Sequence, residues 1–398
     1  MRVPGRPPVL LDVVEEHFDE LDWLWEHRDA NVFTPDWTLA DLAWCEQRAE
    51  AHLDGLRLAE LHGIDLALAR LAGGEPGATL AATRVLCAEP SGAHLDPVRA
   101  TLRRGDPPAV DGVRRALRHH LPDALRPLLH ELAAGDDALR AAAALDVLAF
   151  RREGLPPFAP HLLVHEVRPA TCLALAAAAR AAHTRPLETA LDRALADPEP
   201  AVRRSGLSAA AHIGWAPLLQ RCREAAARGT DPDPDAVALL GAIGEPDDEA
   251  TLRACLARPE LAATAVLALG ALGRVTAVPL LLDLLADAKL GVPAAKAYRR
   301  LTGSDAAFGA KALPPSDDGS EDLPPAPDAA RADWQRRAAS MPVAATWQHG
   351  QPIPTSALPT GFDTLPLDCR RDVYLRLRTR RLAVPDLELE ALALQQRR

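Results

Sequence analysis

Aromatic residues make up only 4% of this 398-residue chain, and tyrosine and methionine occur twice each. Sheet-rich domains draw on β-branched and aromatic side chains, so the shortage argues against extensive β-structure. Lysine is rarer still: Lys289, Lys296 and Lys311 are the only ones among 45 basic residues. This arginine- and alanine-heavy usage reads as the imprint of a GC-rich genome. The six cysteines (Cys45, Cys87, Cys172, Cys222, Cys255, Cys369) are scattered without a CxxC pair. Most fall in apolar helical context, which predicts buried thiols in a reducing compartment. No stretch reaches the roughly 18 uninterrupted apolar residues of a membrane span. The opening MRVPGRPPVLLDVVEEHF also lacks the apolar run of a secretory signal, so the expected location is the cytoplasm. Positive charge does not dominate: the net charge is −10 and the pI near 5.7, which disfavours a nucleic-acid-binding surface. There is no GxxxxGK[ST] loop and no GxSxG elbow.

What the chain has in abundance is alanine and leucine at helical spacing. Leu187, Ala190, Leu191, Ala194 and Leu195 form one apolar stripe. Asp197-Pro198-Glu199-Pro200 stops that helix, and a second follows from Ala201 to Ile213, closed by Gly214. Helix-ending glycines recur at Gly214, Gly244, Gly273 and Gly303, with gaps of 30, 29 and 30 residues. A fixed period of this size marks an array in which each helix pair buries its apolar face on its neighbours. Pro127, Pro217 and Pro279 open first helices, where a missing amide costs nothing. Small residues crowd the second helices, as in Ala209-Ala210-Ala211 and Ala294-Ala295, and permit close helix approach. Gly154 extends the register back one double period, and looser units over 77–182 suggest helices at 78–88, 95–104, 109–120, 124–134, 137–150, 158–167 and 170–182.

The pattern Asp197, Ala201-Val202-Arg203, then small residues ending Ile213-Gly214, resembles the short bacterial HEAT repeat, the repeat shared with phycobilin lyases. That resemblance implies an all-α fold, an α-α superhelix, with Asp197 and Arg203 in a structural ladder between adjacent units. The run TLADLAWCEQRAEAHLDGLRLAEL from Thr38 to Leu61 is similar to the opening of a bacterial HEAT-repeat family encoded beside type VI secretion genes. The segment Trp347-Gln348-His349-Gly350-Gln351-Pro352 is similar to a Trp and Gly-x-Pro turn in the same family.

Four regions are expected. Residues 1–75 form an acidic N-terminal helical cap, with 16 acidic residues against 6 arginines. Residues 76–303 form the HEAT-like repeat array, and 304–333 a flexible linker built on KALPPSDDGSEDLPPAP. Residues 334–398 form a Trp-containing appendage with two short helices at 366–382 and 386–396.

The expected function is a non-enzymatic scaffold or assembly factor that holds a protein partner on its concave face. The family resemblance would make that partner a spike, adaptor or effector of a type VI secretion system. Arg203, Arg204, His212, Arg274, Arg299 and Arg300 could project from the second helices into that face. His52, Asp54, Arg57 and Trp347, within the family-like segments, are further contact candidates. No catalytic residue, metal ligand or cofactor is expected. One alternative is a metal-dependent enzyme similar to deoxyhypusine hydroxylases, which use four His-Glu dyads; His130-Glu131 and His165-Glu166 supply two. His161 and His165 share the i, i+4 spacing of a metal pair, but no hydrolytic zinc motif completes it. Another is a HEAT-like DNA glycosylase, for which Trp215 stands alone within the array.

Overall fold

In the computed structural model the chain is all-α, with twenty α-helices and one two-stranded hairpin among the described residues. Those residues are 9–88, 91–104, 106–155, 160–181, 184–228, 232–310 and 323–396. The chain divides into two compact units. Unit 1 comprises Met1–Val32, Leu39–Ala209 and Leu387–Arg398; unit 2 comprises Phe33–Thr38 and Ala210–Asp386. No helix is long and apolar enough to cross a membrane.

Unit 1 opens with α1 (Leu11–Asn31), α2 (Leu39–Leu58) and α3 (Leu61–Gly73). Val14, Phe18, Leu21, Leu24 and Trp25 recur at helical spacing on α1 and are all buried, while Glu15, Glu16 and Asp19 between them are exposed. Helix pairs follow: α4 (Pro76–Ala88), α5 (Gly92–Arg104), α6 (Pro107–His119), α7 (Arg126–Ala133), α8 (Ala138–Phe150) and α9 (Arg168–Arg180). The second helices α4, α6, α8 and α9 lie side by side in that order, with α5 and α7 backing α6 and α8. Ahead of α9 the first helix shrinks to a 3-10 turn at Pro160–Val164, where the spacing predicts a helix over 158–167. Pro160 opens that turn and Pro169 opens α9, so only a short stretch lies between them. Next come α10 (Thr184–Leu195) and α11 (Pro200–Ile213); the division between the units falls inside α11.

Unit 2 continues the pairing with α12 (Leu218–Ala227), α13 (Pro234–Ile243), α14 (Asp248–Cys255), α15 (Pro259–Leu272), α16 (Val278–Leu284) and α17 (Gly291–Thr302). Here α13, α15 and α17 form the row of second helices. They meet through matched small residues: Gly241 lies against Ala268, and Gly270 against Ala297. A methyl group added at either glycine would fall within 2.7 Å of the neighbouring helix's Cα. Gly214, Gly273 and Gly303 close their helices in the left-handed region, with φ of 64°, 74° and 70°. Gly244 departs from the rule, with φ −62° and ψ 168°. There Asp248 accepts the following amide, that of Glu245, so no left-handed turn is needed.

The described residues after the array, 304–310 and 323–396, include further elements that pack on it. The proline-rich run 311–322 lies outside the described residues. After it, α18 (Pro327–Arg337) packs on α16, and Tyr298 donates to Asp333 at 2.8 Å in a buried pair. β1 (Thr346–Gln348) and β2 (Gln351–Ile353) form a hairpin, and both turn residues, His349 and Gly350, have positive φ. A two-residue turn of that kind matches the strand twist. Trp347 joins the core of α15, α16 and α17 beside Val275, Leu281 and Tyr298. Helix α19 (Leu367–Thr379) confirms the helix read over 366–382. The helix read over 386–396 is corrected: only α20 (Ala393–Gln396) is helical, and 382–388 has no regular structure.

Candidate interaction surface

In both units the row of second helices carries a later segment of the same chain, but the chemistry differs.

In unit 2, α19 and the hairpin lie on the C-terminal ends of the second helices. A helix end leaves carbonyls without intrahelical partners and carries partial negative charge. Arg376 reaches three of them, donating to Ala242 at 2.8 Å, Ala271 at 3.0 Å and Gly241 at 3.4 Å. Arg378 donates to the His212 carbonyl at 2.9 Å, and Arg381 to Gly214 at 3.3 Å. The hairpin continues the series. The Trp347 amide donates to the Gly273 carbonyl at 2.9 Å and the Gly350 amide to Leu301 at 3.0 Å, while the Gln348 side chain caps Ala271. The cap glycines also make room for this covering, because a Cβ on Gly273 would collide with the Trp347 carbonyl. One pair reverses the direction. Arg300 of α17 donates to Asp368 at 2.6 Å and to Asp372 at 2.5 Å, and also meets Gln348. Burial alone would push Asp372 up, but Arg371 and Arg300 hold it below the usual carboxylate range.

In unit 1 the arginines sit on the array and the acids on the segment. Arg114 and Arg118 of α6, Asp146 and Phe150 of α8, and Arg180 of α9 line one face, at i, i+4 spacing on α6 and α8. Asp146, 1% exposed, accepts from Arg114 at 2.5 Å and from Arg180 at 2.8 Å. Burial opposes its charge, yet Arg114, Arg118 and Arg180 hold its carboxyl below the ordinary value. The Phe150 ring lies beside two guanidiniums, Arg118 at 4.1 Å and Arg180 at 5.3 Å from its centroid.

Residues 387–396 cover this face. Arg180 donates to Glu388 at 2.7 Å and to Glu390 at 3.1 Å, and Arg118 also binds Glu390. Burial pushes the Glu390 carboxyl up, but Arg118 and Arg180 outweigh it and bring it down to about 2. Arg28 of α1 holds the backbone, donating to the carbonyls of Glu390 at 2.7 Å and Ala391 at 3.0 Å. Glu46 of α2 accepts the Ala393 amide at 2.8 Å and is tied to Arg28 at 3.0 Å. Gln396 folds back onto the carbonyls of Leu389 and Ala391, so the segment is a compact acidic hook. On the same three helices, and sharing Arg114, a cleft of about 290 Å³ is lined mainly by Pro107, Val110, Leu139, Ala143, Pro169 and Leu173.

The residues expected to meet a partner are mostly engaged within the chain. Arg300 pairs with Asp368 and Asp372 of α19, and Trp347 is buried within the hairpin's contact with the array. Arg274 donates to the Ala345 carbonyl at 3.3 Å, and Arg299 pairs with Asp36 at 2.5 Å. The His212 carbonyl takes Arg378. Arg203 donates to the carbonyls of Asp197 and Pro198, while the Asp197 carboxylate pairs with Arg168 at 3.0 Å. The rung at Asp197 therefore reaches back to the start of α9. Arg204 is exposed. His52 contacts His17, with their Nδ1 atoms 3.0 Å apart, and Asp54 pairs with Arg57 at 3.1 Å on the surface of α2.

Sequence reasoning missed Arg28, Arg118, Arg180, Glu388, Glu390 and Arg376. Two signals pointed toward them: the i, i+4 pair Arg114 and Arg118, and the alternating Leu387-Glu388-Leu389-Glu390.

His130, Glu131 and Glu166 are exposed, and Glu131 pairs with Arg103 at 3.1 Å. The His161 and His165 rings lie 6.3 Å apart, and His165 accepts the Val167 amide. Among the described residues no three His, Cys, Asp or Glu side chains converge as a metal site. Trp215 is buried. All six cysteines are free; five are buried and Cys172 is half-buried. Burial pushes the Cys87 and Cys222 thiols up to about 12. In unit 1 arginines of the array meet acids and carbonyls of the covering segment; in unit 2 arginines of the segment meet helix-end carbonyls of the array. A scan against family models and a search of curated proteins find no match to this chain.

Proposed function

We propose that this protein is a non-enzymatic scaffold that binds a protein partner on the faces formed by its second helices. The observation that carries this reading is the occupancy of those faces: each unit holds a separate segment through charge-directed contacts to side chains and backbone. Arrays of paired helices offer extended binding surface rather than a reaction pocket. The resemblance at Thr38–Leu61 supports a more specific role, as a cytoplasmic accessory or assembly factor whose partner is a spike, adaptor or effector of a type VI secretion apparatus. Affinity capture of the full chain after in-cell crosslinking tests this. The expected result is one dominant secretion component at near-equal amount. Recovery of chaperones and ribosomal proteins alone would count against the scaffold.

A further inference from the structure

We infer that the arginine face of unit 1 is a docking site for an acidic segment of another protein, and that residues 387–396 occupy it as an internal stand-in. The inference rests on the scaffold reading and names the site and the chemistry of its partner.

Three observations lead there. First, the face is built for an anion. Arg114 is already matched by Asp146 and Asp111, but Arg118 and Arg180 share only Asp146 beneath them. Without Glu388 and Glu390, Arg118 and Arg180 beside Phe150 would be left with one buried carboxylate that Arg114 also uses. Second, much of the recognition falls on the backbone of the hook. Arg28 and Glu46 read its backbone, and its fully covered residues are small or polar: Ala391, Ala393 and Gln396. Leu394 remains 68% exposed. Another chain with glutamates at i and i+2 followed by a small residue meets the same requirements. Third, the hook leaves the cleft on the same helices unfilled. An intramolecular segment competes at an effective concentration in the millimolar range, so a partner needs contacts the hook does not make. An apolar side chain beside the acidic pair, entering between Val110, Leu139 and Leu173, supplies them.

The test uses the full chain and a fluorescein-labelled peptide of its own residues 385–396 as probe. Glu388→Gln with Glu390→Gln loosens the internal hook and leaves the arginines in place. This double variant should bind the peptide at least about tenfold more tightly than the parent chain, because more of it is open. Adding Arg180→Ala should abolish that binding, and a peptide with both glutamates changed to glutamine should not bind. Equal affinity for parent and double variant, or binding indifferent to Arg180, overturns the inference. Should the variant fail to fold by circular dichroism, hydrogen exchange on the parent chain decides. Excess peptide should speed exchange across 387–396 and leave α6 and α9 protected; unchanged exchange at saturating peptide overturns the proposal. Light scattering runs alongside. A monomer supports docking of a separate partner, and a variant dimer would overturn it in favour of exchange between copies. Loss of peptide binding with continued capture of a cellular partner would remove this site and leave the scaffold standing.

Discussion

The two units cover their second-helix faces in opposite ways. In unit 2 the covering segment brings the arginines, and the array offers helix-end carbonyls. In unit 1 the array brings the arginines, and the covering segment offers carboxylates. Helix-end carbonyls belong to the backbone and recur with every repeat, so α19 and the hairpin fit the array's period and complete its core. A guanidinium pair asks only for an acid of suitable spacing. The first arrangement is part of the fold; the second is a replaceable occupant.

Breaking the support beneath unit 1 should have the largest effect. Asp146→Asn leaves Arg114, Arg118 and Arg180 short of a buried anion and should cost about 4 kcal/mol. Protection from hydrogen exchange should fall in α6, α8 and α9 and persist in α13, α15 and α17. Arg376→Ala is the counterpart in unit 2. It strips three buried carbonyls of their donor and should cost about 3 kcal/mol, read by denaturant unfolding, with loss of protection in α19.

The acid response sharpens the contrast. Glu390 is held down to about 2, so its contribution is present above the ordinary glutamate range and is lost as pH falls toward 2. Protection of the hook should therefore decline progressively below about pH 4.5. A Glu390→Gln chain should show a smaller decline. The smallest effect carries the opposite sign. Asp22 of α1 is raised to about 6 by burial and by Glu26 and Asp19, and its Oδ1 has no hydrogen-bond partner. A raised carboxyl costs stability above its folded value and nothing below its unfolded one. Asp22→Asn should raise Tm by about 2 °C at pH 8, and the gain should vanish by about pH 4.

The helices were legible because their burial depends on local spacing. The stripe Leu187, Ala190, Leu191 and Ala194, all buried, and the caps at Gly214, Gly273 and Gly303 are written in neighbouring residues. Gly244 shows the limit of that reading, since a side chain four residues on replaces the left-handed turn. Helix α18 carried its own signal, Pro327 followed by Asp328 at a helix start, inside a run whose composition reads as linker. The candidate site was less legible. Arg300 and Trp347 were expected to meet a partner protein, whereas in the structure their contacts are to residues of the same chain. The pairing of Arg180 with Glu388 spans 208 residues, and no local rule encodes such a contact. Only the complementary charges, an arginine pair on α6 and an acidic alternation at 387–390, hinted at it.

The central claim is that the hook is a ligand of unit 1 while α19 is part of unit 2. Hydrogen exchange on the Glu390→Gln chain at pH 7 tests it most directly. The account predicts that protection at the Ala393 amide and its neighbours drops at least about tenfold, while α19 amides exchange as in the parent chain. Parallel loss of protection in both segments, or in neither, would contradict it.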